Sequence, residues 1–435
     1  MTVTGAAGLD ARDAALVAAE VGAAVAWLWD HAAADPRAVG FGQVLDRDDR
    51  PTVTSIAATG FALAAWCVGL ERGLLRRDEV VARTRGALRG LAALPHRDGF
   101  MVHFAELGTL ARHGRSEFST IDTGLALDGA VVAAQVLADP EITERTAELL
   151  ARVDWAGAVH HREGRALLHM ARVDDAGDDY GRGADSDGWV GAWDMTAEQL
   201  TLYVLAAGDP AMPAELARAL WAGFERPVGE YRGHRCVYEW GGTLFVYHFP
   251  HAFWPFGRDP QGTDWWANSG AATAANHAWC ADNAASYPTF AAGLWGTSAG
   301  LGPWGYVVNG AEPARPPSPH CDGTIPPASL MGALPWCPQE ATRALRRLAV
   351  EHRAAWSDRH GWADGVNLGA GATPAGREGT VPGTWYAPVR YGINKGVSAL
   401  LGAAALGSTL VWDAYGSHPW TSRGIAALGL QRAGG

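Results

Sequence analysis

One stretch of the chain, from Gly241 to Ser269, mixes aromatic rings with polar side chains more densely than the rest. We call it the aromatic segment. A sugar ring stacks its C–H-rich face on an aromatic ring, and its hydroxyl rim hydrogen-bonds to polar groups. The mixture therefore predicts a carbohydrate site, with these residues as candidate ligands: His248, His251, Trp254, Arg258, Trp265, Trp266 and Asn268. The alternative interpretation is an aromatic core segment whose histidines are hydrogen-bonded.

A pair of carboxylates precedes the aromatic segment, at Asp194 and Glu198. The pattern predicts a helix from Asp194 to Ala207, on which residues four apart share a face. Two carboxyl groups at that distance raise one another's pKa, which is one route to a proton donor at neutral pH. A plain helix cap with an acidic first turn fits the same spacing.

Other carboxylates stand where a cap, a turn or a site would place them. Asp264 precedes two tryptophans, Asp122 lies at the start of an apolar helix, and Asp322 and Asp364 each precede a glycine. Glycosidic cleavage needs a carboxylic acid to protonate the leaving oxygen and a carboxylate to act as base or nucleophile. We expect Glu198 to be the acid and Asp264 the base or nucleophile, although the two roles could be exchanged. Asp194 would tune Glu198, and Asp122 and Asp322 would bind substrate.

Composition excludes several classes of function. The net charge of −11 and the pI of about 5.7 argue against a nucleic-acid partner. The N-terminus has no signal-peptide pattern, and no stretch reads as a membrane span, so we expect a cytoplasmic protein with no membrane partner. Five widely spaced cysteines without a zinc-ligand spacing predict free thiols, no metal site and no cofactor. Motifs of serine hydrolases, nucleotide-binding proteins and metalloproteases are also missing.

The elements that must position these residues are mostly helices. Hydrophobic periodicity predicts about a dozen, beginning with one from Asp10 to Ala34. Strands are short and isolated, including two expected within Cys236 to Tyr247 and one near Thr409 to Trp412, so a parallel sheet or a sandwich does not fit. Paired helices in this number predict an all-α fold, an α/α barrel with short peripheral β-strands. No break in composition divides the chain, so residues 1–435 are expected to form a single catalytic domain.

Several short segments, taken in order, resemble the glycoamylase-like domain family, which includes bacterial endo-β-1,2-glucanases and the transglycosylase domain of cyclic β-1,2-glucan synthases. The resemblance covers roughly residues 99–407 and is carried by the segments Phe118–Thr123, Trp193–Tyr203, Gly242–Phe245 with His248 and His251, Thr263–Ser269, Trp295–Ser298, Asp322–Ile325 and Leu334–Pro338. It implies an (α/α)6 toroid with a substrate cleft on one face. It also implies metal-independent hydrolysis or transfer of β-linked glucans, with an oligo- or polysaccharide as the partner.

Two departures from the family pattern concern acidic positions. Ala267 and Asn394 stand where the resemblance implies carboxylates. Loss of both would leave other carboxylates to act, among them the retained Glu198, Asp264 and Asp122. It would also fit a non-catalytic carbohydrate-binding protein on the same scaffold. An enzyme of similar fold with different sugar chemistry, such as an epimerase or a lyase, is a third class.

Overall fold

The computed structural model describes residues 8–316, 319–369 and 383–434. Helices account for most of the regular structure in these ranges. They are α1 (Ala11–Asp30), α2 (Ile56–Glu71), α3 (Arg77–Ala93), α4 (Thr120–Leu137), α5 (Pro140–Arg152), α6 (Leu200–Gly208), α7 (Ala214–Gly223), α8 (Leu244–Phe253), α9 (Trp265–Asp282), α10 (Pro288–Ala291), α11 (Pro327–Ala333), α12 (Pro338–Glu351), α13 (Gly392–Ala405), α14 (Leu410–Ser417) and α15 (Pro419–Leu428).

Strands are short and pair in small antiparallel sheets. They are β1 (Val53–Ser55), β2 (His96–Arg97), β3 (Phe100–Met101), β4 (Phe104–Glu106), β5 (Phe118–Ser119), β6 (Val159–Arg162), β7 (Arg165–Arg172), β8 (Trp189–Ala192), β9 (Val228–Tyr231), β10 (His234–Val237), β11 (Ala299–Gly302), β12 (Gly305–Val308), β13 (Trp356–Ser357), β14 (Gly361–Trp362), β15 (Val366–Asn367) and β16 (Trp385–Tyr386). The largest sheet has four strands, β5 to β8, and its longest strand, β7, lies between β5 and β6.

Two concentric rings of helices form the body of the protein. Helices α2, α4, α6, α8, α11 and α13 form the inner ring, in which α2 contacts α4 and α13, α4 contacts α6, and α11 contacts α8 and α13. A small cavity separates α6 from α8. Helices α1, α3, α5, α7, α9 and α12 pack outside them. This arrangement, with short strands at the periphery, confirms the predicted (α/α)6 toroid.

The inner helices α2, α4 and α6 are largely apolar on every side because they pack on neighbours all round. Helix α2 approaches α4 closely at Gly60 and Gly129, where a Cβ on Gly129 would lie 1.9 Å from the Gly60 carbonyl oxygen. Helix α4 is long and apolar enough to pass as a membrane-spanning helix, but 78% of it is buried inside the ring. The outer helices α5 and α12 instead bury one stripe and expose the other.

One end of the inner ring carries the loops and strands that lead into the inner helices. We call this end the mouth. The β11–β12 hairpin lies here, with Tyr306 on β12. Helix α8 runs away from the mouth, and α9 returns antiparallel to it, because His251 near the end of α8 contacts Ser269 in the first turn and a half of α9.

Three local predictions are wrong. Asp194 and Glu198 precede the helix, which begins at Leu200, because residues 193–199 pair with neighbouring strands and loops instead. The second strand expected within Cys236 to Tyr247 is the start of α8, since packing inside the ring outweighs the β preference of its aromatic residues. The strand near Thr409 to Trp412 is helix α14.

Candidate active site

Glu198 lies at the mouth, half-buried, in the turn before α6. Burial raises the pKa of its carboxyl to about 7, and the negative charges of Glu239 and Asp122 add to that effect. Glu198 therefore holds a proton over much of the range in which an unperturbed glutamate is ionised. A carboxyl group in this state can donate a proton near neutral pH.

Asp122, in the first turn of α4, is the half-buried neighbour of Glu198. The Ser119 hydroxyl donates a 2.6 Å hydrogen bond to one of its oxygens, and Nε2 of His103 lies 3.4 Å from the other. On its far side, Nδ1 of His103 is 2.8 Å from Glu117. Burial lowers the pKa of His103, but the charges of Asp122 and Glu117 outweigh it and raise that pKa to about 9. Asp122 therefore faces a cation, whereas Glu198 faces anions.

Tyr306 belongs to the β11–β12 hairpin and is within electrostatic reach of Glu198. Its side chain is 48% exposed, and its ring lies 5.5 Å from that of Tyr391, the N-cap of α13. Burial and four neighbouring groups raise the pKa of the Tyr306 phenol: Asp364, Tyr391, Asp46 and Glu198. The phenol is thus within electrostatic reach of carboxylates from three separate parts of the chain.

Glu239 belongs to the mouth but was missed by sequence reasoning. It is 4% exposed, it precedes α8, and its carboxylate accepts backbone N–H groups of Gly241 and Thr243 at 2.8 and 2.5 Å. Burial raises its pKa despite these bonds. Its position just before a largely apolar helix could have identified it, because Asp122 and Glu198 also lie at the start of such helices. Four more residues at the mouth were not selected either: Asp46, His103, Glu117 and Tyr306.

Asp264, the predicted partner of Glu198, has a structural role in the fold. Asp264 is the N-cap of α9 and accepts the backbone N–H of Ala267 at 3.0 Å. It follows the end of α8 that is remote from the mouth, and the ten residues of α8 span about 15 Å. Asp194 is also engaged elsewhere, since Arg162 donates a 2.5 Å hydrogen bond to it. The charges that raise the pKa of Glu198 come from Glu239 and Asp122 rather than from Asp194.

The two histidines of the aromatic segment are core residues, each 1% exposed. Nε2 of His248 lies 3.1 Å from the Thr273 hydroxyl, and Nε2 of His251 lies 3.0 Å from the Ser269 hydroxyl. Burial lowers the pKa of both to about 3, so both rings are neutral. The alternative interpretation, an aromatic core with hydrogen-bonded histidines, is the one the structure supports.

The remaining predicted sugar ligands of the segment are buried, half-buried or bonded to the backbone, and two of them, Trp265 and Asn268, line a small cavity with Glu239. Trp254 and Trp265 are 3% and 2% exposed, and the indole N–H of Trp265 donates to Asp259 at 3.0 Å. Trp266 packs against Trp336, with ring centroids 4.6 Å apart. Asn268 bonds the backbone of Val237 through both amide atoms, and the exposed Arg258 donates to the Gly262 carbonyl.

The structure also shows the environment of Asp322 and of Ala267 and Asn394, the two departures from the family pattern. Asp322, 5% exposed, accepts the Asn309 amide at 2.8 Å and fixes the loop before α11 to the end of β12. Ala267 is exposed on the outer helix α9, remote from the mouth. Asn394, in contrast, opens the inner helix α13 and donates a 2.8 Å hydrogen bond to Asp364. Burial raises the pKa of Asp364 to about 6.

Comparisons with known proteins identify the family and the fold. The family model described as "Putative glucoamylase" matches residues 191–419. An exo β-1,2-glucooligosaccharide sophorohydrolase (non-reducing end) of Parabacteroides distasonis is 23% identical over 87% of this chain, and the chain spans about half (53%) of that relative's length.

Solved structures resemble the whole chain. A putative glucoamylase from Bacteroides uniformis superposes with a TM-score of 0.80 at 20% identity, covering 98% of this chain and 99% of its own. An endo-β-1,2-glucanase from Chitinophaga pinensis, solved with sophorotriose and glucose, gives 0.79 at 20% identity, covering 98% and 100%. Because the family model matches more than half of the sequence, the chain belongs to the glycoamylase family described as "Putative glucoamylase".

Proposed function

We propose that the protein is a glycoside hydrolase or transglycosylase that cleaves a β-linked glucan or gluco-oligosaccharide of the β-1,2 class. The observation that carries this proposal is Glu198, a carboxyl group with a pKa of about 7 at the mouth of the ring. Its neighbour Asp122 is paired with the His103 cation instead. A carboxyl group that holds its proton, beside a carboxylate paired with a cation, supplies the two groups that glycosidic cleavage needs.

In this reaction Glu198 donates its proton to the glycosidic oxygen as the C–O bond breaks. Asp122 replaces Asp264 as the second carboxylate, and it accepts a proton from water, or from a sugar hydroxyl, as that oxygen attacks the anomeric carbon. Attack by water gives hydrolysis, and attack by a sugar gives transfer. Proton donation by a positioned group contributes about 10²- to 10⁴-fold to the rate.

The β-1,2 linkage is supported by the relatives. The Parabacteroides protein is named for hydrolysis of β-1,2-gluco-oligosaccharides, and the Chitinophaga enzyme is named for β-1,2-glucan and was solved with sophorotriose. Two exposed aromatic side chains belong to this region: Tyr306, within electrostatic reach of Glu198, and Trp240, directly after Glu239. Such rings can stack on sugars.

Glu198→Gln tests the acid. The substitution keeps the shape of the side chain and removes the proton, so turnover of linear β-1,2-glucan should fall by about 10²-fold or more, with thermal stability nearly unchanged. Release of reducing ends measures turnover, with β-1,3- and α-1,4-glucans as substrates for comparison.

Asp264→Asn is the matched control. Asparagine also caps helices, so this variant removes a carboxylate remote from the mouth and should keep wild-type turnover. Wild-type activity in Glu198→Gln would refute the assignment of the acid. Loss of activity in Asp264→Asn at unchanged stability would instead support Glu198 and Asp264 as the catalytic pair.

A second candidate, a non-catalytic carbohydrate-binding protein, is favoured by Asn394. Its amide, at a position where the family resemblance implies a carboxylate, cannot accept a proton as a base does. Binding of β-1,2-gluco-oligosaccharides by calorimetry, without product even after long incubation, would support this candidate over the enzyme.

A further inference from the structure

His103 lies at the mouth between two carboxylates on the segment that leads into α4. Its backbone N–H donates to the Glu117 carbonyl at 2.9 Å, which fixes the ring beside that segment. Nδ1 then lies 2.8 Å from Oε1 of Glu117, and Nε2 lies 3.4 Å from Oδ1 of Asp122. The Phe104 ring stacks on the imidazole with centroids 3.7 Å apart. Both ring nitrogens therefore face an anion.

This geometry favours an imidazolium ion. A neutral imidazole has one N–H donor and one lone pair, and the lone pair would here point at a carboxylate oxygen. Protonation turns both nitrogens into donors and satisfies both contacts. Ligand atoms of His103, Glu117 and Asp122 lie within 4.8 Å of one another, a spacing that also admits a cation. A metal would need the lone pair of His103, which the pairing with two carboxylates leaves protonated.

We propose that His103 is a positioning residue, an imidazolium held by Glu117 that keeps Asp122 ionised and oriented as the base of the reaction. The inference rests on the proposed function and deepens it. Ser119 holds the second oxygen of Asp122 at 2.6 Å, so the carboxylate is fixed from two sides. The cation decides which carboxyl group is the base, and Glu198, which has no such partner among the described residues, keeps the proton.

Other charged groups surround this pair. Asp46, from the loop before α2, also raises the pKa of His103, and Arg112 faces Glu117. Burial raises the pKa of the Tyr180 phenol, and so do the charges of Glu117 and Asp122, which lie within electrostatic reach of it. Asp46 and Glu198 add negative charge near Asp122. Without the imidazolium, Asp122 would be surrounded mainly by like charges, and its carboxyl group would hold a proton to higher pH.

His103→Gln tests the proposal through the pH profile. Loss of an opposite charge at this distance shifts a carboxyl pKa by about one to three units. The acidic limb of kcat/KM should therefore move upward by at least one pH unit, while the basic limb set by Glu198 stays in place. A purely structural role for His103 would lower activity equally at all pH values, and that result would overturn the proposal.

His113→Gln is the matched control. His113 pairs with Glu106 at the surface of the neighbouring hairpin, a similar histidine–glutamate contact that does not involve Asp122. Its loss should leave both limbs of the profile unchanged. If His113→Gln moves the acidic limb as far as His103→Gln does, the effect is not specific to the mouth and the proposal fails.

NMR titration of the histidine rings tests the same inference without any activity. In the wild-type protein His103 should remain doubly protonated to about pH 9, and Asp122→Asn should lower its pKa. A wild-type pKa near 6.5 would overturn the proposal even if the enzyme is active. Shifts of the His103 signals with equimolar Zn²⁺, reversed by EDTA, would identify a metal ligand and overturn it too. If no substrate is cleaved while the titration behaves as expected, only the proposed function fails.

Discussion

The mouth of the ring and the aromatic segment contain the same residue types, yet their histidines are in opposite states. His248 and His251 are surrounded by rings and hydroxyls, and burial holds their pKa near 3. His103 is shielded too, but two carboxylates reverse the effect and raise its pKa to about 9. The contrast teaches that the charge of the neighbouring groups, more than burial, decides whether a buried histidine is charged.

Carboxylates differ between the two regions in the same way. In the aromatic segment each carboxylate has a structural partner: Asp264 caps α9, and Asp259 accepts the indole N–H groups of Trp221 and Trp265. At the mouth, Glu198 and Asp122 keep an exposed part. Asp264 is half-buried as well, so the two regions differ in the partners of their carboxylates rather than in exposure.

The largest expected effect comes from Asp122→Asn. Removing the base should lower kcat by about 10²- to 10⁴-fold, because the amide cannot accept a proton. Asp194→Asn is the comparison, since Asp194 pairs with Arg162 and should tolerate the change with little loss of activity. Initial rates on β-1,2-glucan measure both. Equal losses in the two variants would mean that the site extends beyond the mouth.

Trp265→Ala probes the aromatic segment. Truncating a buried indole should lower the free energy of unfolding by about 3–5 kcal/mol, while turnover per folded molecule stays near that of wild type. Urea denaturation gives the stability, and active-site-normalised rates give the turnover. An increase in KM for gluco-oligosaccharides at unchanged stability would instead show that this region contributes to substrate binding.

The pH dependence is a milder test of the same contrast. Glu198 acts as an acid only when protonated, and its raised pKa is about 7. The rate constant kcat/KM should therefore be high below pH 7 and fall about tenfold per unit above it. The histidines of the aromatic segment, with pKa values near 3, should contribute no limb between pH 5 and pH 9. A basic limb that Glu198→Gln does not alter would assign the acid to another group.

The toroid could be predicted because the hydrophobic pattern of its helices is clear in the sequence. Fully apolar helices such as α2, α4 and α6 belong to the inner ring, and striped helices such as α5 and α12 to the outer one. The position of helix α9 in the outer ring is harder to predict, because tryptophans and small polar residues interrupt its apolar stripe. Asp264 was assigned to the site because it is retained in the family resemblance, and the structure shows it as the N-cap of α9.

The burial of the histidines in the aromatic segment could not be predicted, because composition does not say what a histidine faces. The spacing of His248 and His251 nearly matches that of Ser269 and Thr273, which bond to them across antiparallel helices. Such matched polar pairs are a sequence signal for buried contacts. The mouth, in contrast, joins single residues from distant loops, and no local pattern connects Asp46 with Glu198 or Asp364.

The scatter of these residues has a consequence for how the protein acquires activity. Side chains from Asp46 to Tyr391 meet only after the last inner helix docks against the first, where α13 contacts α2. Such long-range closure is slow compared with helix formation. During refolding, the helical circular dichroism signal should recover early and the proposed catalytic activity late. The recovery of activity would therefore report when the ring of inner helices has closed.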